Sequence, residues 1–319
     1  MSENSTVQST SFGMGTEMTH KAFGSHAEEA LQAVTDEAKR LESLLSRFLP
    51  ESEIGRINGS AGMENERLSC ETYEVLSRAA AFSNTSRGLF DVTIGPLADL
   101  WDYKNASVVP EEARIRQVLP LVNYRDLVLD PREKTAGLRN PGQSIDLGGI
   151  GKGFASDRFM EICAEYGVAS AFTNIGGNVS TLGSKPDGSP WRVGIRHPRQ
   201  DGRLLGAIAV TGKAVVTSGD YERYFIDREG KRRHHLLDPT TGYPAESGLI
   251  SVTVVADSAM TADALSTMLF VAGMEKGLGL LRSFPQVEAI LVDTVLRVWV
   301  TRGLKKCFQS AADINVRML

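Results

Sequence analysis

Apolar residues recur at three- and four-residue steps from Leu31 through Val34, Ala38, Leu41, Leu44, Leu45 and Phe48, a spacing that lays one hydrophobic stripe along a helix. Ser25 and Glu28 stand ahead of the stripe at capping-box separation. Pro50 ends it, because proline has no N–H to donate. A connection rich in Glu, Ser and Asn follows, and Val75, Leu76, Ala79 and Phe82 then predict a second helix over 72–84. Gly88-Leu-Phe-Asp-Val-Thr-Ile-Gly-Pro96 reads as a turn entering an apolar run that Gly95-Pro96 breaks. A further short helix is expected within 108–124.

Strands are expected at 127–130 and 144–147, and the second runs directly into Gly148-Gly-Ile-Gly-Lys-Gly153. Ala155, Phe159, Ile162, Cys163 and Tyr166 share one face of the helix predicted next, with Gly167 as its C′ residue. The second half is richer in strands, at 191–196, 205–211, 214–217, 224–227 and 250–255, punctuated by Gly, Pro and Asp. The mostly apolar run 261–272 predicts a buried helix, and 287–292 with 296–301 a closing hairpin. Helices and strands mix without strict β-α alternation, which favours an α+β fold over a doubly wound sheet. Residues 1–10 are predominantly polar and are expected to form a disordered tail ahead of a single domain over 11–319.

Composition narrows the function classes. Over 319 residues, 42% hydrophobic and 23% charged are ordinary values for a globular protein with a sizeable core. A net charge of −4 argues against a general nucleic-acid binder. No Lys or Arg precedes Lys21, no apolar leader core opens the chain, and no window approaches the ~18–20 apolar residues of a membrane span. A cytoplasmic protein without a membrane span is the expectation. Cys70, Cys163 and Cys307 fall in no metal-ligand spacing, and Cys163 on an apolar helix face reads as a buried thiol.

Three constellations carry chemistry. In Asp146-Leu-Gly-Gly-Ile-Gly-Lys-Gly153, glycines between a strand and a helix would let backbone N–H groups approach a phosphate at the helix N-terminus. The segment fits neither a Walker loop, since Gly153 follows Lys152, nor a dinucleotide fingerprint, since Phe154 stands where the third glycine belongs. A phosphate cradle and a plain strand-to-helix turn both remain open on this pattern. Asp263 and Thr267, four apart with Ser266 between them, project from one face of an apolar helix. A carboxylate there needs a partner or a metal, and oxygen donors of this kind suit Mg²⁺; capping of a neighbouring loop is the alternative. His234-His235-Leu-Leu-Asp-Pro-Thr-Thr-Gly242 offers a general base or a structural histidine.

Taken in order, these segments resemble the FAD:protein FMN transferase, or ApbE-type flavin transferase, family. The matching blocks are Met14-Gly-Thr16; Ser46-Arg-Phe-Leu-Pro-Glu-Ser-Glu-Ile54 with Asn58; Gly88 to Leu97 with Trp101; Asp146 to Gly153 with Asp157; Asn174-Ile-Gly-Gly177; His235 to Gly242 with Pro244; and Thr261-Ala-Asp-Ala-Leu-Ser-Thr267. Each block is weak alone, and the ordered set, spanning roughly 12–303, is specific.

The resemblance implies an α+β fold of mixed helices and largely antiparallel sheets in two closely packed parts, with FAD in the cleft between them. It implies that Met14, Phe48, Leu89, Phe90, Asp91, Asp146, Lys152 and Leu236 contact FAD. It places Mg²⁺ on Asp263, Ser266, Thr267 and a backbone oxygen of Gly149, and makes His235 and Lys152 the catalytic pair. Phe48 departs from the family's usual Tyr, which keeps a ring but loses a hydroxyl. The implied reaction moves FMN from FAD to a Thr or Ser hydroxyl of an acceptor flavoprotein with an Asp-Gly-x-Thr/Ser-like segment, releasing AMP. The alternatives are an FAD pyrophosphatase giving FMN and AMP, and a flavin-binding protein without turnover.

Overall fold

The computed structural model describes residues 6–103, 105 and 108–319. Its strands are β1 (Thr6–Gly13), β2 (Thr16–Phe23), β3 (Glu66–Arg67), β4 (Leu127–Asp130), β5 (Thr135–Leu138), β6 (Ser170–Ile175), β7 (Asn178–Leu182), β8 (Trp191–Arg196) and β9 (Leu204–Val210). They continue with β10 (Ala214–Gly219), β11 (Tyr224–Ile226), β12 (Arg232–His234), β13 (Leu249–Ala256), β14 (Glu288–Asp293), β15 (Val298–Val300), β16 (Phe308–Ser310) and β17 (Val316–Met318). The α-helices are α1 (Ala27–Leu45), α2 (Glu53–Gly59), α3 (Cys70–Ser86), α4 (Gly95–Trp101), α5 (Glu112–Val118), α6 (Gly151–Glu165) and α7 (Ala259–Leu281). The mixture without β-α alternation is the α+β arrangement expected.

A nine-stranded sheet in the order β1-β2-β6-β7-β10-β13-β14-β15-β17 organises the chain. It is antiparallel except where β15 meets β17. Helix α7 packs on β10 and β13, α6 on α7 and β7, and α1 on α6, forming a helical layer over one face. The small sheet β16-β9-β8 covers the other face through Ile195, Leu205, Ile208 and Val210, which pack with Val255, Ile290 and Val292. Strand β13 is therefore buried along its whole length, which explains its nearly unbroken apolar run.

Helix α7 is the one described helix long and apolar enough to cross a membrane, with a mean hydropathy of 1.3, where the sequence reading found no such window. Its apolar character answers to packing between the sheet and α6. The two helices meet at Gly153, where an added Cβ would lie 2.4 Å from the Ala259 carbonyl oxygen; only glycine lets them approach there.

Several boundaries differ from those expected. Of the tail expected over 1–10, residues 1–5 lie outside the described residues and Thr6 to Thr10 belong to β1. Ser25 and Glu28 form no capping box, since α1 begins after His26 without a side-chain cap, and it ends at Leu45, before Phe48. The polar connection contains α2, capped by Ser52 on the Gly55 N–H at 2.8 Å. Residues 144–147 form no strand and make only an isolated parallel bridge between Ser144 and Ile94. Tyr166 is exposed rather than on the buried face of α6. Past Ala272 the chain breaks helical geometry only at Gly273, with φ 73°, and continues to Leu281.

His20 on β2 faces inward, its Nδ1 2.7 Å from Thr173 Oγ1 and its ring edge-on to Phe159. Burial pushes its pKa from 6.5 down to about 4. Below pH 6.5 the unfolded chain takes up a proton that the folded chain refuses until about pH 4, so stability falls through that window. The melting temperature should drop between pH 7.5 and 4.5, and His20→Gln should flatten the drop; an unchanged slope in the variant would assign the acid sensitivity elsewhere.

Candidate active site

The N-terminus of α7 is fixed against the middle of α6 by one carboxylate. Asp157 of α6 accepts hydrogen bonds from Ser258 Oγ at 2.7 Å, Ala259 N at 2.6 Å and Met260 N at 3.0 Å. That cap satisfies two otherwise orphaned donors of α7 and sets its register against α6. One turn further on, Asp263 Oδ2 accepts from Gly153 N at 2.9 Å. Its other oxygen lies 3.6 Å from Lys152 Nζ, which also donates to the Gly148 carbonyl at 2.9 Å. The glycine segment thus turns the chain and also brings a lysine and a carboxylate together.

Hydroxyls extend this polar centre. Ser266 Oγ donates to the Asp263 carbonyl at 2.9 Å and lies 2.8 Å from Ser218 Oγ. Thr267 Oγ1 is 3.3 Å from Ser218 Oγ. Gly149 sits against the same threonine, for a Cβ there would come within 3.3 Å of Thr267 Oγ1 and 3.2 Å of Phe90. Ser218, at the end of β10, is absent from the sequence-based set; the signal available was a polar Thr-Ser-Gly-Asp220 break closing an apolar strand.

The donor set is one carboxylate, three hydroxyls and nearby carbonyls. No group of three His, Cys, Asp or Glu side chains of metal-binding arrangement exists among the described residues. The Lys152 ammonium already rests on the Asp263 carboxylate and the Gly148 carbonyl. Such a set fits a hard cation that takes few protein ligands and completes its shell with phosphate oxygens and water.

His235 follows directly on β12. Its backbone N donates to the Arg223 carbonyl at 3.0 Å and its ring Nδ1 lies 3.2 Å from the same oxygen. A carbonyl can only accept, so Nδ1 carries the proton and Nε2 keeps its lone pair. Burial, then the charges of Arg223, His234 and, more weakly, Lys152, push the ring down to about 3. It is a neutral acceptor across the physiological range. His234 is buried too, edge-on to Phe270, with its pKa lowered by burial. The two histidines part company as strand alternation predicts.

The ApbE family's model matches residues 14–291. The chain belongs to the ApbE family. It is 37% identical over 294 residues to the FAD:protein FMN transferase of Klebsiella pneumoniae (strain 342), covering 92% of this chain and 90% of that protein. Identity to the FAD:protein FMN transferase of Treponema pallidum (strain Nichols) is 33%, over 86% of this chain and 80% of the relative. The crystal structure of the ApbE protein from Thermotoga maritima superposes with a TM-score of 0.88 at 32% identity, covering 96% of this chain and all (100%) of that one.

Within this ApbE fold, the remaining expected positions divide into two groups. Asp146 accepts from Gly148 N at 2.7 Å and from Arg47 at 3.0 Å, and Arg47 also binds Asp99 at 2.6 Å. Phe48, 69% exposed, lies beside the Arg47 guanidinium at 5.3 Å. Met14 occupies the β1–β2 turn, where Met14 and Gly15 both have positive φ, and its N–H is held by Glu42 at 3.0 Å. Leu89 is half-buried against the core, whereas Phe90 and Leu236 are buried, Phe90 bordering Gly149.

Asp91 has both carboxylate oxygens engaged by hydrogen bonds. One oxygen accepts from Thr93 N and Oγ1 at 2.8 and 2.7 Å, the other from Tyr124 N at 2.8 Å. Burial raises its pKa against those bonds. Two further motif residues also brace the structure: Asn58 pairs with the backbone of Ile145 in both directions, and Trp101 Nε1 donates to the Gly242 carbonyl at 2.8 Å.

Proposed function

We propose that this chain transfers FMN from FAD to a hydroxyl of an acceptor protein and releases AMP. The observation that carries the reading is the convergence of Lys152, Asp263, Ser218, Ser266 and Thr267 at the α6–α7 junction, within the electrostatic reach of a neutral His235. A binding protein without turnover has no use for a base with its acceptor nitrogen free.

In the proposed reaction the acceptor oxygen attacks the FMN-side phosphorus while His235 Nε2 takes its proton. The new P–O bond forms as the bond to the AMP oxygen breaks, so the acceptor gains an FMN phosphoester. Lys152 and the amides at the start of α6 hold phosphate oxygens in line for that attack. Gly149, Asp263, Ser266 and Thr267 would hold magnesium, with Ser218 steadying the two hydroxyls. When bound, the ion neutralises pyrophosphate charge and eases departure of AMP. AMP released in step with flavin attached supports this reading; AMP without attached flavin would point to water as acceptor.

Lys152 also separates a phosphate cradle from a simple turn. Lys152→Met removes the charge and keeps most of the bulk, so affinity for FAD should fall at least tenfold while riboflavin, which has no phosphate, binds nearly as before. Titrations with both ligands check this, and equal losses would remove Lys152 from the phosphates.

A further inference from the structure

The hairpin β11–β12 ends at the proposed base and has no assigned role. Its register pairs Tyr224 with His234, Phe225 with Arg233 and Ile226 with Arg232, and no third strand joins it among the described residues. One face is anchored, with the Phe225 ring 6.4 Å from Trp101 and 5.9 Å from Tyr103. The other turns His234, opposite Tyr224, in on Phe270 and presents Tyr224 and Ile226, 41% and 52% exposed, with the Arg232 guanidinium 3.7 Å over the Tyr224 ring.

The charge on this hairpin runs against that of the chain, which is −4 overall. Asp227 is taken up by Arg233, Lys231 by Glu246, and Glu222 by Arg196. Arg223 and Arg228 are exposed and enter no ion pair among the described residues. Together with Arg232 they leave a positive surplus against Glu229.

We infer that β11–β12 is the docking surface for the acceptor protein, and that it takes an extended segment whose flanks are acidic. The inference rests on the transfer reading above. An open hairpin edge accepts an added strand through backbone hydrogen bonds, the apolar pair gives it a surface to cover, and the arginines select its charge. His235 lies three residue steps beyond Arg232, roughly 10 Å of extended chain at ~3.3 Å per residue. A hydroxyl held at His235 therefore places residues roughly three to six positions away over Ile226, Arg232 and Arg228.

Two synthetic peptides with the same central Asp-Gly-Ser-Thr, flanked at those outer positions by Glu or by Lys, test this with the full chain, FAD and magnesium. The wild type should favour the Glu peptide at least tenfold in kcat/KM, with the preference shrinking as salt rises. Arg228→Glu should abolish or invert the preference with FAD affinity within twofold of wild type. Ile226→Ser should raise KM for both peptides at unchanged kcat. Equal use of the two peptides, or an unaltered preference in Arg228→Glu, overturns the docking surface and leaves transfer standing. Loss of FAD affinity in Arg228→Glu would overturn it too, by assigning the hairpin to the nucleotide. If neither peptide gains flavin while FAD is still cleaved to AMP, the transfer reading fails and the docking surface with it.

Discussion

Asp263→Ala should lower transfer by ~10³-fold or more, equivalent to about 4 kcal/mol of lost transition-state stabilisation. Among the described residues the carboxylate is the one that pairs with Lys152, so its truncation removes that negative charge from the cluster. It also accepts from Gly153 N in a buried setting, and truncation leaves that donor unsatisfied at a cost of about 1–3 kcal/mol in stability. Asp263→Asn separates the two effects. The amide oxygen can still accept from Gly153 N, so the melting temperature should return toward wild type while the activity stays lost. An Asn variant that transfers at the wild-type rate would remove Asp263 from the reaction.

His235→Ala should slow transfer by ~10²–10⁴-fold, the usual contribution of a general base, while FAD binds nearly as tightly as before. The Arg223 carbonyl fixes the tautomer that leaves Nε2 free, so the ring's part lies in accepting a proton at the chemical step. Because burial holds the ring down to about 3, the wild-type rate should show no acid limb from this group between pH 6 and 8. A binding titration beside a transfer assay decides the matter. FAD affinity falling in proportion to rate would make His235 a binding residue. His234→Ala should affect stability more than rate, since that ring is buried against Phe270.

How far the sequence reveals this protein depends on how strongly each segment is patterned. Helices α1, α3, α6 and the first half of α7 carry apolar stripes or runs, and β4, β8 and β13 lie within a residue of where composition puts them. Strand β1 escaped because this edge strand buries almost none of its side chains, so Thr-Val-Gln-Ser-Thr10 gives no alternation of apolar residues to read, and β2 because one of its three alternating buried positions, His20, is polar. Helix α2 escaped because its seven residues bury only Glu53, Ile54 and Ile57, too few for a period. Its start was nonetheless written in Ser52, which caps it.

The site divides along a similar line. Lys152, Asp263 and His235 stand out because a charged or titratable group in an apolar or glycine-rich stretch has to be accounted for by a partner. Ser218 does not stand out, since a serine ending a strand is unremarkable until β10 is laid against α7. Asp91 carries a local structural signal as well. Its spacing to Thr93 is that of an aspartate closing a local turn on the residue two ahead, and one of its oxygens does so while the other accepts from Tyr124 N.

The central claim is that a protein hydroxyl, not water, receives the flavin. Intact-mass spectrometry tests it most directly, on a protein bearing an Asp-Gly-Ser-Thr segment after incubation with this chain, FAD and magnesium. The account predicts a gain of one FMN residue on the acceptor, lost when its Thr is changed to Ala and absent with Asp263→Ala. An acceptor of unchanged mass in a reaction that has converted FAD to free FMN and AMP would contradict it.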